Sequence, residues 1–350
     1  MPFAKFSQQS MFEKRKASID DVARRAKVSI TTVSRVINKV LTVSKKNQTK
    51  VEEAIVALKY KPDISAQRLA RGSNTAVGLV MPGYPGIFYS FYAIEIIRGV
   101  GHACEILKQD LVFHITSGYN ELNTNSVGGV IFADIIENRK QVENAMASGM
   151  PCMVINNIPE DLGVSYVGVD NIAGGAMAAD YLVSLGHQRI ATITGNLQTQ
   201  AGQHRLEGVK TYLAKKKIIL PTEYIIEGDY SRRSARIAME KLLSLPNPPT
   251  AVFAASDDMA LEAVSVAMEK GFKIPQNMSV IGFDDNPAAI FGPVALTTIK
   301  QPLFTMAEQA VKTLSAIVAG KKKAPVHVIL APQLIVRDSC AGPASLPTGA

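Results

Sequence analysis

Between Ser18 and Leu58 apolar residues recur every three or four positions, the spacing of helices that bury one face. Ser18 and Asp21 have the form of a capping box with Asp in the place of the usual Glu or Gln, and Val22, Ala23 and Ala26 give a first short helix its buried stripe. Ser29 opens a second helix, in which Val33, Val36 and Ile37 fall at i, i+3 and i+4. Its other face presents Thr31, Thr32, Arg35 and Asn38, short hydrogen-bonding groups and one forked cation. Ser44 opens a third helix, carried by Val51, Ala54, Ile55 and Leu58. That helix stops before Tyr60 and Pro62, because the residue ahead of a proline avoids the α region. Two short helices joined by a tight turn, with a third closing the core, predict a helix-turn-helix over 18–62. Such a motif sets its second helix in the DNA major groove.

Beyond Pro62 the period changes. A stretch from Asp63 to Gly72 has the form of a helix too short to persist alone, since helices below about 12–15 residues are marginal in water. From residue 75, short β-branched runs at 76–81, 111–115, 130–132, 152–155, 189–194, 251–254 and 280–283 alternate with amphipathic stretches such as 173–186, 203–215, 233–243 and 258–270. Strands alternating with helices of that length predict an α/β body of parallel, doubly wound sheets. Ligands of such sheets bind at the carboxyl ends of the strands. The polar pairs there are Asn156-Asn157, Asp170-Asn171, Ser256-Asp257 and Asp284-Asp285; Arg205 opens a helix and Tyr230 follows Gly228-Asp229. Asp170 and Asp257 also read as helix caps. Residues 116–128 leave too little chain for a helical crossover between parallel strands. Residues 341–350, rich in Pro, Gly, Ala and Ser, read as a loose tail.

Charge sharpens this division. The net charge is +8 over 350 residues, yet residues 1–72 hold 16 Lys and Arg against 6 Asp and Glu, leaving 22 basic and 24 acidic residues in the rest. A cationic head on a nearly neutral body is the footprint of phosphate-backbone binding. Residues 1–17, with Lys5, Lys14, Arg15 and Lys16, form a basic tail without the apolar core of a secretory signal, and no run is long and apolar enough to span a membrane. Cys104, Cys152 and Cys340 are too scattered for a disulfide framework or a zinc site, which suits a reducing cytoplasm.

An enzyme is not expected. The pairs Asp257-Asp258 and Asp284-Asp285 are carboxylates that could serve as acid and base, but neighbours in sequence diverge in space. Phosphate-cradling loops, dinucleotide fingerprints, zinc-protease motifs and nucleophile elbows are absent, and His102, His114, His187, His204 and His327 form no cluster. No cofactor and no metal is expected. A sugar-binding transport protein or a nonspecific architectural DNA binder would share parts of the pattern; the first needs export and the second needs no nearly neutral α/β body.

The run Asp21-Val22-Ala23, Val28-Ser29, Thr32-Val33-Ser34-Arg35-Val36 and Asn38 resembles the DNA-binding head of the LacI/GalR (lactose-repressor/galactose-repressor) family. The resemblance implies a cytoplasmic transcriptional regulator, expected to be a repressor, that binds a palindromic operator as a homodimer. DNA contacts are then expected from Ser29, Ile30, Thr31, Thr32, Ser34, Arg35 and Asn38, with Thr31 and Arg35 at base edges. Residues 63–74 become a hinge whose Leu69 wedges into the minor groove. The body, 75–340, becomes a periplasmic-binding-protein-like pair of lobes, about 75–168 with 298–331 and 169–297 with 332–340. The effector set implied is Asn156, Arg205, Tyr230, Ser256, Asp284 and Phe291, which suits a sugar or sugar acid, with a purine or nucleoside as the alternative. Departures are Lys27 and Lys59 where the family usually has Gly, a longer segment at 39–43, and an altered 83–92 segment whose Phe88, Tyr89, Phe91 and Tyr92 are expected to line the cleft in part.

Overall fold

The computed structural model describes residues 18–37, 43–58, 60, 76–83, 87–116, 122–124, 126–135 and 138–343. It divides into a unit of residues 1–74 and a unit of residues 75–350. The basic tail, Asn38, Lys59, the hinge with Leu69, and residues 344–350 lie outside the described residues.

Among the described residues the first unit has three helices, α1 (Ile19–Ala26), α2 (Ile30–Ile37) and α3 (Lys45–Ala57). The Asp-for-Glu capping box forms. Ser18 N–H donates to Asp21 Oδ2 at 2.9 Å while Asp21 N–H donates to Ser18 Oγ at 3.2 Å, so two backbone donors that helix geometry orphans are satisfied. Val22, Ala23, Ala26, Val33, Val51 and Ala54 close a small core, flanked by half-buried Val36, Ile37, Ile55 and Leu58. Ser44 takes the N-cap position of α3, but its side chain makes no capping bond, which differs from the expected role.

Lys27 ends α1 in the left-handed conformation, φ 53° and ψ 45°. A side chain there meets its own carbonyl and costs roughly 1–2 kcal/mol. Lys27→Gly is therefore expected to stabilise the head by about 1 kcal/mol, part of the relief being offset by glycine's freedom in the unfolded chain. Native-state hydrogen exchange of the full chain checks this: the Val22 and Ala26 amides should slow by about fivefold, the equivalent of 1 kcal/mol.

In the second unit the chain runs β1 (Val77–Pro82), α4 (Phe91–Leu107), β2 (Leu111–Thr116), β3 (Gly129–Phe132), α5 (Arg139–Ala147), β4 (Cys152–Ile155) and β5 (Ser165–Val169). It continues through α6 (Asn171–Ser184), β6 (Ile190–Thr194), α7 (Gln200–Lys215), β7 (Ile225–Glu227), α8 (Arg232–Leu243), β8 (Ala251–Ala254), α9 (Asp257–Glu269), β9 (Ser279–Asp284) and β10 (Thr297–Lys300). It ends with α10 (Leu303–Val318), β11 (His327–Leu330) and β12 (Gln333–Ile335). Two six-stranded sheets result, ordered β11-β5-β4-β3-β1-β2 and β12-β10-β9-β8-β6-β7. Every pairing is parallel except β10 with β12. Strands β1, β3, β4, β5, β6 and β8 are buried at every position, as parallel strands covered on both faces must be.

The chain crosses between lobes three times, after β5, β10 and β11. Because β10 pairs with β9 over Thr297 to Lys300, the second crossing falls at Gln301–Pro302, and residues 298–300 belong to the second lobe rather than the first. The expected start of the loose tail also moves. Ala341 N–H donates to Ser279 Oγ at 3.0 Å and its carbonyl accepts from His187 Nε2 at 2.8 Å. His187 is buried, bonded also to Thr250, and burial lowers its pKa, so the neutral ring serves as an internal brace. Between β2 and β3 the described residues contain no helix, and edge strand β2 keeps Phe113 and Ile115 exposed.

Candidate functional site

In the head, α2 presents its first turn outward. Ile30 is 48 % exposed, and Thr31 and Arg35, one helical turn apart on the same face, are exposed as well. Ser29 and Thr32 are bonded to each other: Thr32 N–H donates to Ser29 Oγ at 3.1 Å and the two hydroxyls share a bond of 2.9 Å. Ser29 therefore caps α2 with Thr32 tied to it, which leaves Ile30, Thr31 and Arg35 as the exposed side chains outside that pair. Ser34 is half-buried and has a partner. Lys45 and Lys46 stand exposed on the first turn of α3.

In the body, backbone strain marks one place. Seven described non-glycine residues have positive φ. Lys27, Lys108 and Lys217 stand at helix C-termini, where a left-handed residue is the usual way to end a helix. The other four, Asn156, Tyr230, Asp284 and Asp285, end or follow strands β4, β7 and β9 at the carboxyl edges of the two sheets. Asp284 reaches φ 127°, a region L residues rarely adopt. Strain of this kind, of order 1–3 kcal/mol each, clusters where geometry serves a ligand.

Asp284 sits in a network. Gln301 donates Nε2 to its Oδ1, and Arg205 Nη1 lies 4.0 Å from the same atom. Burial pushes the Asp284 carboxyl up to about 6, with Arg205 and Gln301 pulling the other way. Arg205 is buried, its guanidinium centred 3.8 Å from the Phe283 ring, its Nε donating to Asn171 Oδ1 at 2.8 Å and its Nη1 to the Ala255 carbonyl at 2.6 Å. The guanidinium is thus held rigidly before any ligand is considered.

Tyr230 lies with its ring over Gly195, where a Cβ would come within 2.1 Å of it, and its hydroxyl meets Thr199 Oγ1 at 3.2 Å. Asn156 has a buried Oδ1 with no hydrogen-bond partner among the described residues. Ser256 is buried and spends its hydroxyl capping α9, accepting from Met259 N–H at 3.3 Å. Phe291 is 81 % exposed, so the structure does not gather it with the others.

Asp170 caps α6, accepting from Ala173 N–H at 2.8 Å. Asp257 is not the cap of its helix. It is fully buried, accepts from Thr298 Oγ1 at 2.5 Å and Asn286 N–H at 2.7 Å, and so braces the strained Asp284-Asp285 turn; burial, then neighbouring Asp284, raises its pKa well above the ordinary range. Asp285 is drawn away to Arg337 and Lys300. Asn171 was among the polar pairs read from sequence, whereas Gln301, Thr298 and Phe283 were missed, because each acts through a partner on another element.

A cavity of about 600 Å³ opens where the second and third crossovers meet the lobes. Phe91, Arg98 and Phe304 line it from the first lobe, and Asp284, Ile290 and Arg337 from the second. Of the six expected effector residues only Asp284 lines this cavity. Of the four aromatic residues at 88–92 only Phe91 reaches it, while Phe88 and Tyr89 are exposed and the Tyr92 hydroxyl donates to the Ala133 carbonyl.

Two family descriptions match the chain, "Bacterial regulatory proteins, lacI family" over residues 18–63 and "Periplasmic binding protein-like domain" over residues 179–340. The chain is 33 % identical to the HTH-type transcriptional regulator DegA of Bacillus subtilis (strain 168), over 93 % of this chain and 98 % of that protein. Its structure is similar to that of the lac repressor dimer bound to operator and the anti-inducer ONPF, with a TM-score of 0.81, 26 % identity, and coverage of 93 % and 100 % of the two chains. The transcriptional regulator CelR in complex with cellobiose gives a TM-score of 0.70 at 30 % identity, covering 92 % and 99 %. With a helical head and two parallel-sheet lobes that agree with these matches over nearly the whole length, this chain belongs to the lacI family of bacterial regulatory proteins, as a DNA-binding transcriptional regulator with an effector-binding body.

Proposed function

We propose that this protein is a cytoplasmic repressor that binds a palindromic operator as a homodimer and responds to a sugar held between its lobes. The observation that carries the effector half is the strained group of polar residues at the strand ends, with the carboxylate of Asp284 set against the fixed guanidinium of Arg205. A carboxylate accepts from two adjacent hydroxyls, a guanidinium donates to a neighbouring pair, and an aromatic ring such as Tyr230 covers the apolar face of a pyranose. Cellobiose, bound by the similar CelR, is the first sugar to try. The exposed Ile30, Thr31 and Arg35 carry the DNA half, and two-fold symmetry of a dimer calls for a palindromic site.

Two experiments test this reading. Selection from random duplexes by the full chain should enrich one palindrome; enrichment without two-fold symmetry overturns the dimer reading. Thermal shift against cellobiose, other sugars, sugar acids, purines and nucleosides should single out a sugar, since a binder stabilises by RT ln(1 + [L]/Kd). A shift with a purine alone overturns the sugar assignment.

Affinity for that sugar should depend on pH in a defined direction. With its pKa raised to about 6, Asp284 is ionised above that value and loses acceptor capacity below it. Calorimetric titration should show a plateau above pH 7 and affinity falling by up to tenfold per unit below pH 6. An affinity that rises as pH falls would mean that Asp284 serves as a protonated donor.

A further inference from the structure

Gln200 is the first residue of α7 in the second lobe, yet its side chain is bonded to the first lobe. Its Oε1 accepts from the Ile158 N–H at 2.7 Å, and its Nε2 donates to the Ile158 carbonyl at 3.0 Å. Ile158 belongs to the connection between β4 and β5. A carboxamide carries both a donor and an acceptor, so it can close on the N–H and C=O of one residue as a neighbouring strand would. The clasp joins two segments that are not themselves crossovers. Among the described residues no helix or strand of one lobe packs extensively on one of the other, so the clasp ties the lobes where packing does not.

Its neighbours on both sides include members of the proposed effector set. In the first lobe, Asn156 has φ 66° and a buried acceptor without a partner, and Asn157 pins the adjoining loop by accepting from Ile135 N–H at 3.2 Å. In the second lobe, Thr199 caps α7 and meets the Tyr230 hydroxyl. A continuous path therefore runs from Asn156 through Ile158, Gln200 and Thr199 to Tyr230.

We propose that Gln200 is an interlobe latch: its amide holds the two lobes together on its own account and fixes the spacing between Asn156 and Tyr230. It is a positioning residue, not one that touches the ligand. The latch stands or falls independently of the sugar assignment; only its consequence for effector binding rests on the proposed function. Because two neutral hydrogen bonds have modest net worth in water, the latch biases closure without making it permanent.

The test is the distribution of interlobe distances in the full chain with no ligand added. Spin labels are placed at exposed Lys140 on α5 and Lys210 on α7, in a Cys340→Ser background. Gln200→Ala, and Gln200→Glu, which can accept from Ile158 N–H but cannot donate to its carbonyl, should both shift the distribution to longer distances, with the open population raised about tenfold. Gln203→Ala, one turn along and bonded within its own lobe to the Leu197 carbonyl, should leave it unchanged. Unchanged distances in both Gln200 variants overturn the latch, as does an equal shift in Gln203→Ala. Since no ligand enters the measurement, a failed sugar assignment cannot be mistaken for a failed latch.

Discussion

Arg35→Ala should cost the protein its preference for the operator while leaving its hold on random DNA nearly intact. Arg35 stands exposed on α2 one turn beyond Thr31, and among the described residues no ion pair engages it, so its fork is available to a groove. Arginine reads guanine through O6 and N7 together, and a bidentate contact of that kind is worth ~1–3 kcal/mol of discrimination. A dimer loses it in both half-sites. Random DNA, by contrast, is held by phosphate contacts from residues such as Lys45 and Lys46, which the substitution leaves in place. Titrations over a salt series separate the two effects: a phosphate contact would weaken both DNAs together and flatten the salt slope by about one. Equal weakening would remove Arg35 from base readout.

Asp284→Ala should abolish the response to the effector and leave operator binding by the head within about twofold. Gln301 donates to the carboxylate and Arg205 lies 4.0 Å from it, so removing the carboxylate takes away the charged acceptor a ligand hydroxyl would use and leaves the buried Gln301 amide without that partner. Unpaired buried groups cost ~1–3 kcal/mol, more when charged, so ligand affinity should fall by about a hundredfold. Asp284→Asn keeps the shape but turns a donor toward donors, and should fail in the same way. Calorimetry and operator titration on the same samples read the two halves separately. A variant with normal ligand affinity would displace the site from Asp284.

What could be read from sequence was what local pattern controls. The Ser18–Asp21 box, the Val33 stripe and the β-branched runs depend on residues a few positions apart, and they define the head and most strands. Strand β10 was missed, and the lobe boundary was set between Thr297 and Thr298; in the fold both residues are buried, and Thr298 satisfies Asp257 on another element. The same distance hid the true roles of Asp257 and Gln200, whose partners lie 41 and 42 residues away. The cap that Ser29 places on α2 is local, as the Ser18–Asp21 box is, and the sequence reading of Ser29 as the residue that opens this helix agrees with it. Phe291 was placed by family position alone, and in the fold it is exposed.

The most direct measurement is an anisotropy titration of the selected palindrome with the full chain, with and without the sugar that raises its melting temperature. If the cleft governs the head, a saturating sugar should move the operator midpoint by about tenfold, a coupling of ~1.4 kcal/mol within the usual allosteric range. The shift should vanish in Asp284→Ala. An operator midpoint that stays put while the sugar is bound would contradict the account.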